Sequence, residues 1–242
     1  MEAIKTIALT KRYKDVIAVN NLNLRIGRGE LFSLLGVNGA GKTTAIKLLS
    51  CLTKPTSGDA FIMGNSITDA EEEVRQVLGV SPQETAIAPN LSVIENLELM
   101  CGIYGFSKEK SKRRINEVAE QFHLHSIFAK RAGKLSGGWQ RRVSIAMALI
   151  SEPSVLFLDE PTLGLDVLAR SELWDVIRKL KGKITIILTT HYMEEAEALS
   201  DRVGIMQNGK LLVTGTVPEL IEMTSAVNLE DAFIQIVRRA QK

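Results

Sequence analysis

The 242 residues hold 30 basic and 28 acidic side chains and are 45% hydrophobic, the profile of one large domain, or a core with a subdomain, around a full interior. The near-cancelled charge argues against a nucleic-acid partner, and an aromatic content of 5% offers no stacking platform for single strands. No apolar run approaches the ~18 residues that cross a bilayer, so any membrane role is expected to come through a partner.

The N-terminus, MEAIKTIALTKRYKD, lacks the continuous apolar stretch of a signal peptide. IKTIALT and VIAVNNLNLRI alternate like antiparallel strands, with a turn expected at KRYKD (11–15). ELFSLLG (30–36) reads as a buried strand and KTTAIKLLSCL (42–52) as the helix after it. From about 91 to 150 the pattern is helical almost throughout, and a helical block between core strands is expected to form a subdomain. Its basic run, KEKSKRR (108–114), reads as a solvated helix face. VLFLD (155–159) and ITIILTT (184–190) are continuous apolar runs of the kind covered on both faces, which predicts an α/β core with parallel strands. LARSELWDVIRKLK (168–181) is the helix between them, and the tail from 224 is expected to be one amphipathic helix containing LEDAFIQIVRR. Cys51 and Cys101 lie in apolar surroundings without metal-type spacing and read as reduced, buried thiols of a cytosolic protein. His123 and His125 have no further ligands beside them and are not read as a metal site.

The chemistry starts at GVNGAGKT (36–43), which fits G-x-x-x-x-G-K-[ST] with a strand before it and a helix after it. Gly36, Gly39 and Gly41 let the backbone turn its N–H groups onto phosphate oxygens, helped by the positive end of the following helix. Lys42 is expected to neutralise the β and γ phosphates and Thr43 to offer its hydroxyl to magnesium. VLFLDE (155–160) closes a strand with two carboxylates: Asp159 is placed for magnesium, and Glu160 for polarising an attacking water as general base. A third segment, LSGGWQRR (135–142), carries a serine and two glycines suited to phosphate, but no carboxylate, histidine or cysteine.

With the phosphate loop, LSGG and VLFLDE in this order, nearly the whole chain resembles the ATP-binding subunit of ABC transporters. The resemblance implies a P-loop NTPase with a RecA-like core, an N-terminal antiparallel β subdomain and an inserted α-helical subdomain. On that pattern residues 1–223 form the ATPase domain, with core and β subdomain at 1–83 and 153–223 and the helical subdomain at 84–152; residues 224–242 form the tail. It implies ATP and Mg2+ as ligands and a head-to-tail pair of ATPase subunits, identical or related, in which Ser136, Gly137 and Gly138 close over the ATP held by the partner. Asn38, Ala40 and Thr44 complete the implied phosphate loop, and Tyr13, in the loop between the first two strands, stacks on adenine. Gln83 in GVSPQ matches the Q-loop, with an amide for magnesium or the attacking water and a backbone that leads into the helical subdomain. Asp166 in PTLGLD matches the D-loop, which crosses to the partner, and is equally placed to cap the next helix. His191 matches the switch histidine that contacts the γ-phosphate. Two positions depart from the common pattern: Trp139 and Arg141 both stand where the family usually has glutamine.

The run from Thr190 to Thr216, with the later LEDAFI, is similar to ATPases of drug, antibiotic, lipid or polysaccharide exporters. That implies integral membrane permease subunits and a peripheral location on the cytoplasmic face of the membrane. An importer ATPase, or a non-transport ABC ATPase of the DNA repair or translation type, is the alternative.

Overall fold

The computed structural model describes residues 1–240. In chain order the strands and helices are β1 (Glu2–Tyr13), β2 (Val16–Leu22), β3 (Arg25–Gly27), β4 (Leu31–Leu35), α1 (Lys42–Leu49), β5 (Ser57–Ile62) and β6 (Asn65–Ser66). Next come α2 (Glu71–Gln76), β7 (Leu78–Ser81), α3 (Val93–Ile103), α4 (Lys108–Gln121), α5 (Gly137–Leu149), β8 (Val155–Asp159) and α6 (Val167–Leu180). The chain continues through β9 (Thr185–Thr190), α7 (Met193–Leu199), β10 (Arg202–Gln207), β11 (Lys210–Gly215), α8 (Val217–Thr224) and α9 (Leu229–Arg239).

Two sheets organise these elements. One has strand order β11-β10-β4-β9-β8-β7, parallel except for the β10–β11 hairpin. The other is antiparallel, order β2-β1-β5-β6, with β3 beside β1. Period-2 alternation explains how a fully apolar strand serves two layers. Leu156 and Leu158 of β8, with Ile186 and Leu188 of β9, face the cluster built with α3 to α6. Val155, Phe157 and Ile187 face the opposite cluster, shared with α1 and the antiparallel sheet. Each such side chain, fully buried, contributes about 1.5–3 kcal/mol of transfer free energy. A third cluster joins Leu35, Val203 and Ile205 to α7, α8 and α9.

Two local expectations change. KRYKD is not a five-residue turn: Lys11 to Tyr13 continue β1, and only Lys14 and Asp15 turn, with Lys14 in the left-handed region (φ 51). The tail from 224 is not one helix. α8 ends on Ser225, a left-handed C-cap (φ 54), and α9 restarts where the Asn228 side chain accepts from the Asp231 N–H at 2.8 Å. α9 spans the expected LEDAFIQIVRR, and positions 241 and 242 of the expected tail lie outside the described residues. Cys51 and Cys101 are free and buried; burial pushes the Cys51 thiol up to about 11, with Glu71 adding to it. No helix among the described residues is long and apolar enough to cross a membrane.

Candidate nucleotide-binding site

The order β4-β9-β8-β7 brings four chain exits side by side at the carboxyl edge of the parallel sheet, where ligands bind in open α/β folds. The phosphate loop leaves β4, His191 follows β9, Glu160 follows β8 and Gln83 follows β7. These segments line a cleft of about 660 Å³ that also includes Asn38 to Thr44 and Val16 to Ala18.

The loop is held close to its surroundings. A Cβ on Gly36 would stand 2.4 Å from the Met206 carbonyl oxygen, and one on Gly41 2.3 Å from that of Ala18, at φ 106. Neither position admits a side chain. Lys42 is 4% exposed; its ammonium donates to the Gly36 carbonyl at 2.8 Å and lies 3.3 Å from Glu160 Oε1. His191 Nδ1 lies 3.3 Å from Glu160 Oε2 without a formed hydrogen bond. Glu160 itself adopts φ 47, a left-handed conformation that costs a non-glycine residue about 1–3 kcal/mol and clusters at functional sites. Its N–H donates to both the carbonyl and the hydroxyl of Thr189, each at 3.1 Å, which holds the strained turn in place.

Asp159 accepts from the Thr189 hydroxyl and, at 3.3 Å, from the Thr43 hydroxyl. Thr43 and Asp159 thus present hard oxygen donors beside the Lys42 site, and Gln83 lines the same cleft. This all-oxygen set fits magnesium. Thr189 was not legible as a site residue: the only trace is that the strand, TIILTT, ends in two threonines.

Tyr13 is the last residue of β1, opposite Val16, not a loop residue. Its exposed ring lies 4.9 Å from Lys11 Nζ and does not line the cleft, although Val16 does. The LSGG segment lies elsewhere too. Ser136 is the N-cap of α5, but its hydroxyl makes no capping bond, and with Gly137 it is exposed. Gly137 and Gly138 adjoin Leu165 and Ala169, beside the D-loop. Asp166 takes the capping role: its Oδ1 accepts from the Ala169 N–H at 2.9 Å. Trp139 packs against the core with the Arg142 guanidinium 4.8 Å from its ring, and Arg142 pairs with Glu172 of α6.

A parallel sheet with a glycine-rich loop, a lysine and a strand-end carboxylate pair defines a P-loop nucleoside triphosphatase. Residues 19–163, more than half of the chain, match the ABC transporter family. The chain is 39% identical over 241 residues to the probable multidrug ABC transporter ATP-binding protein YbhF of Escherichia coli, covering 97% of this chain but 41% of that protein. It is 40% identical over 228 residues to the doxorubicin resistance ATP-binding protein DrrA of Mycobacterium tuberculosis, covering 94% and 67% of the two chains. It therefore spans about two fifths of the first relative and two thirds of the second. Among solved structures, the dimeric post-hydrolysis ATP-binding cassette MJ0796 bound to ADP and Pi superposes with a TM-score of 0.79 at 29% identity, over 88% of this chain and 98% of that one. The chain belongs to the ABC transporter family and has the fold of its ATP-binding cassette.

Proposed function

We propose that the chain binds and hydrolyses ATP as the motor subunit of a membrane exporter, working in a head-to-tail pair of cassettes on the cytoplasmic face. The observation that carries this reading is the Glu160 carboxylate, poised between Lys42 and His191 at the mouth of the phosphate loop. A bound γ-phosphate competes with Glu160 for the Lys42 ammonium, and its charge draws the lysine onto the leaving phosphoryl group. The freed carboxylate accepts a proton from an attacking water, and His191 donates towards the γ-phosphate oxygens. Thr43, Asp159 and Gln83 would hold magnesium, which when bound supplies positive charge against the phosphate oxygens. Ser136, Gly137 and Gly138, outside the chain's own cleft, close over the nucleotide of the second cassette. Tyr13 rests against the adenine ring, beside Val16.

The names of YbhF, a probable multidrug transporter ATP-binding protein, and DrrA, a doxorubicin resistance ATP-binding protein, support drug-like compounds as the transported class. Two measurements test the reading. Glu160→Gln is expected to lower phosphate release about 10²–10⁴-fold while ATP binding survives; ordinary turnover in this variant rules out Glu160 as the base. Co-expressed with a multi-span subunit in vesicles, the wild-type chain is expected to hydrolyse ATP faster when an amphiphilic drug is added. Failure to associate with any membrane subunit overturns the transport part alone.

A further inference from the structure

One buried cation of α5 has no part in the chemistry above. Arg141 is 5% exposed, and its guanidinium hydrogen-bonds to backbone: Nη1 donates to the Pro82 carbonyl at 2.6 Å and Nη2 to the Gln83 carbonyl. Burial depresses its pKa; Asp159 and Glu195 lie near enough to oppose that, without cancelling it. A guanidinium suits this position because its planar fork presents donors in fixed geometry to two adjacent carbonyls, whereas an ammonium has no preset fork and a glutamine amide stands on a shorter side chain. One turn further on, the Ser144 hydroxyl meets that of Ser81, 3.1 Å away at the end of β7. The helix is therefore fastened along the exit of β7 at two successive turns.

What the fastening joins is the point. Ser136 stands at the start of α5, five residues before Arg141, whereas Gln83 lines the chain's own cleft with Lys42, Glu160 and His191. We propose that Arg141 is a positioning residue that locks the Gln83 backbone to the helix carrying Ser136. A displacement of that helix by a second nucleotide-loaded cassette then moves Gln83 in the first chain's cleft. The inference rests on the cassette reading above. It gives a purpose to a side chain that stands, against the family's common pattern, in place of a glutamine.

The test uses the full chain with Arg141→Gln, which removes the charge and shortens the side chain, and Arg141→Lys, which keeps the charge without the fork. A nitroxide attached through Glu84→Cys, an exposed position beside Gln83, is expected to tumble about twofold or more faster in Arg141→Gln without nucleotide, with hydrogen exchange in β8 and α6 as slow as before. In steady state kcat is expected to fall about 10–100-fold with ATP affinity unchanged, and the Hill coefficient for ATP to drop towards one. Arg141→Lys is expected to lie between the two. Unchanged nitroxide mobility, or faster exchange across β8 and α6 in both variants, overturns the proposal. A wild-type chain without ATPase activity defeats the cassette reading instead, and the nitroxide comparison still decides whether the lock exists.

Discussion

At Trp139 the indole is half-buried on the large core cluster and shields the Arg142–Glu172 pair that ties α5 to α6. Trp139→Ala is expected to cost about 2 kcal/mol in urea unfolding, from lost apolar burial and the cation–π contact. A double-mutant cycle with Arg142→Ala should isolate about 0.5–1 kcal/mol of coupling; zero coupling means the ring only fills space. The resemblance marked Trp139 and Arg141 only as departures, because Gln83 lies 58 residues from Arg141, and the Arg142 beside Trp139 pairs with Glu172, 30 residues on; no local pattern points to either. A second buried group left no trace in the sequence at all. Glu195, in α7, is fully buried, accepts from Trp174 Nε1 at 3.1 Å, and leaves Oε2 without a formed bond. Burial raises its pKa, and the nearby Thr190, Thr162 and Trp174 donors only partly oppose this. A raised folded pKa means that the stability is fully present below the unfolded value and is lost as pH rises through the folded one. Glu195→Gln, which keeps the acceptor for Trp174, should therefore gain on the wild type as pH rises from about 4 to 8. Parallel melting curves at pH 4 and pH 8 oppose this account.

At the scale of elements, legibility followed burial. β4, β8 and β9 are continuous apolar runs covered on both faces, and they lie where periodicity put them. The same runs fixed the phosphate loop and the carboxylate pair at strand ends, so the centre of the site could be located before any coordinates. α2 was not readable because only Val74 of its six residues is buried, and β6 because it is two residues long. Breaks were harder still: the split of the tail depends on a left-handed Ser225, a position without glycine. α8 begins with a capping box in which the Thr216 hydroxyl accepts from the Glu219 N–H and the Glu219 carboxylate accepts from the Thr216 N–H. These bonds hold the exposed Glu219 carboxyl below its ordinary value. With the folded pKa depressed, the contribution is present above the unfolded value and fades as pH falls through the folded one. Glu219→Gln should accordingly melt lower than wild type at neutral pH, with the gap closing in acid. A gap independent of pH assigns the effect to packing instead.

For the whole molecule the proposed reading turns on whether the cleft and the LSGG segment are half-sites for two different nucleotides. Lys42, Glu160, His191 and Gln83 share a cleft, while the exposed Ser136 hydroxyl, unused as a cap, stands outside it beside the D-loop. If both halves belonged to one nucleotide, any change at Ser136 would weaken ATP binding by the isolated chain. If they belong to two, binding and pairing separate. The informative background is Glu160→Gln, where slowed hydrolysis leaves ATP in place long enough for a pair to accumulate. Size-exclusion chromatography with light scattering should then show an ATP-dependent dimer for Glu160→Gln alone. Adding Ser136→Arg places a bulky cation at the start of α5, where the proposed pairing brings the second nucleotide, and the dimer should be lost. Fluorescent-nucleotide titration of the same double variant should give an affinity within about threefold of the parent, since the cleft of its own chain is untouched. Loss of nucleotide binding together with the dimer places Ser136 in its own chain's site and ends the shared-site account. The distinction also bears on Arg141, because only a shared site gives a link between α5 and Gln83 anything to transmit.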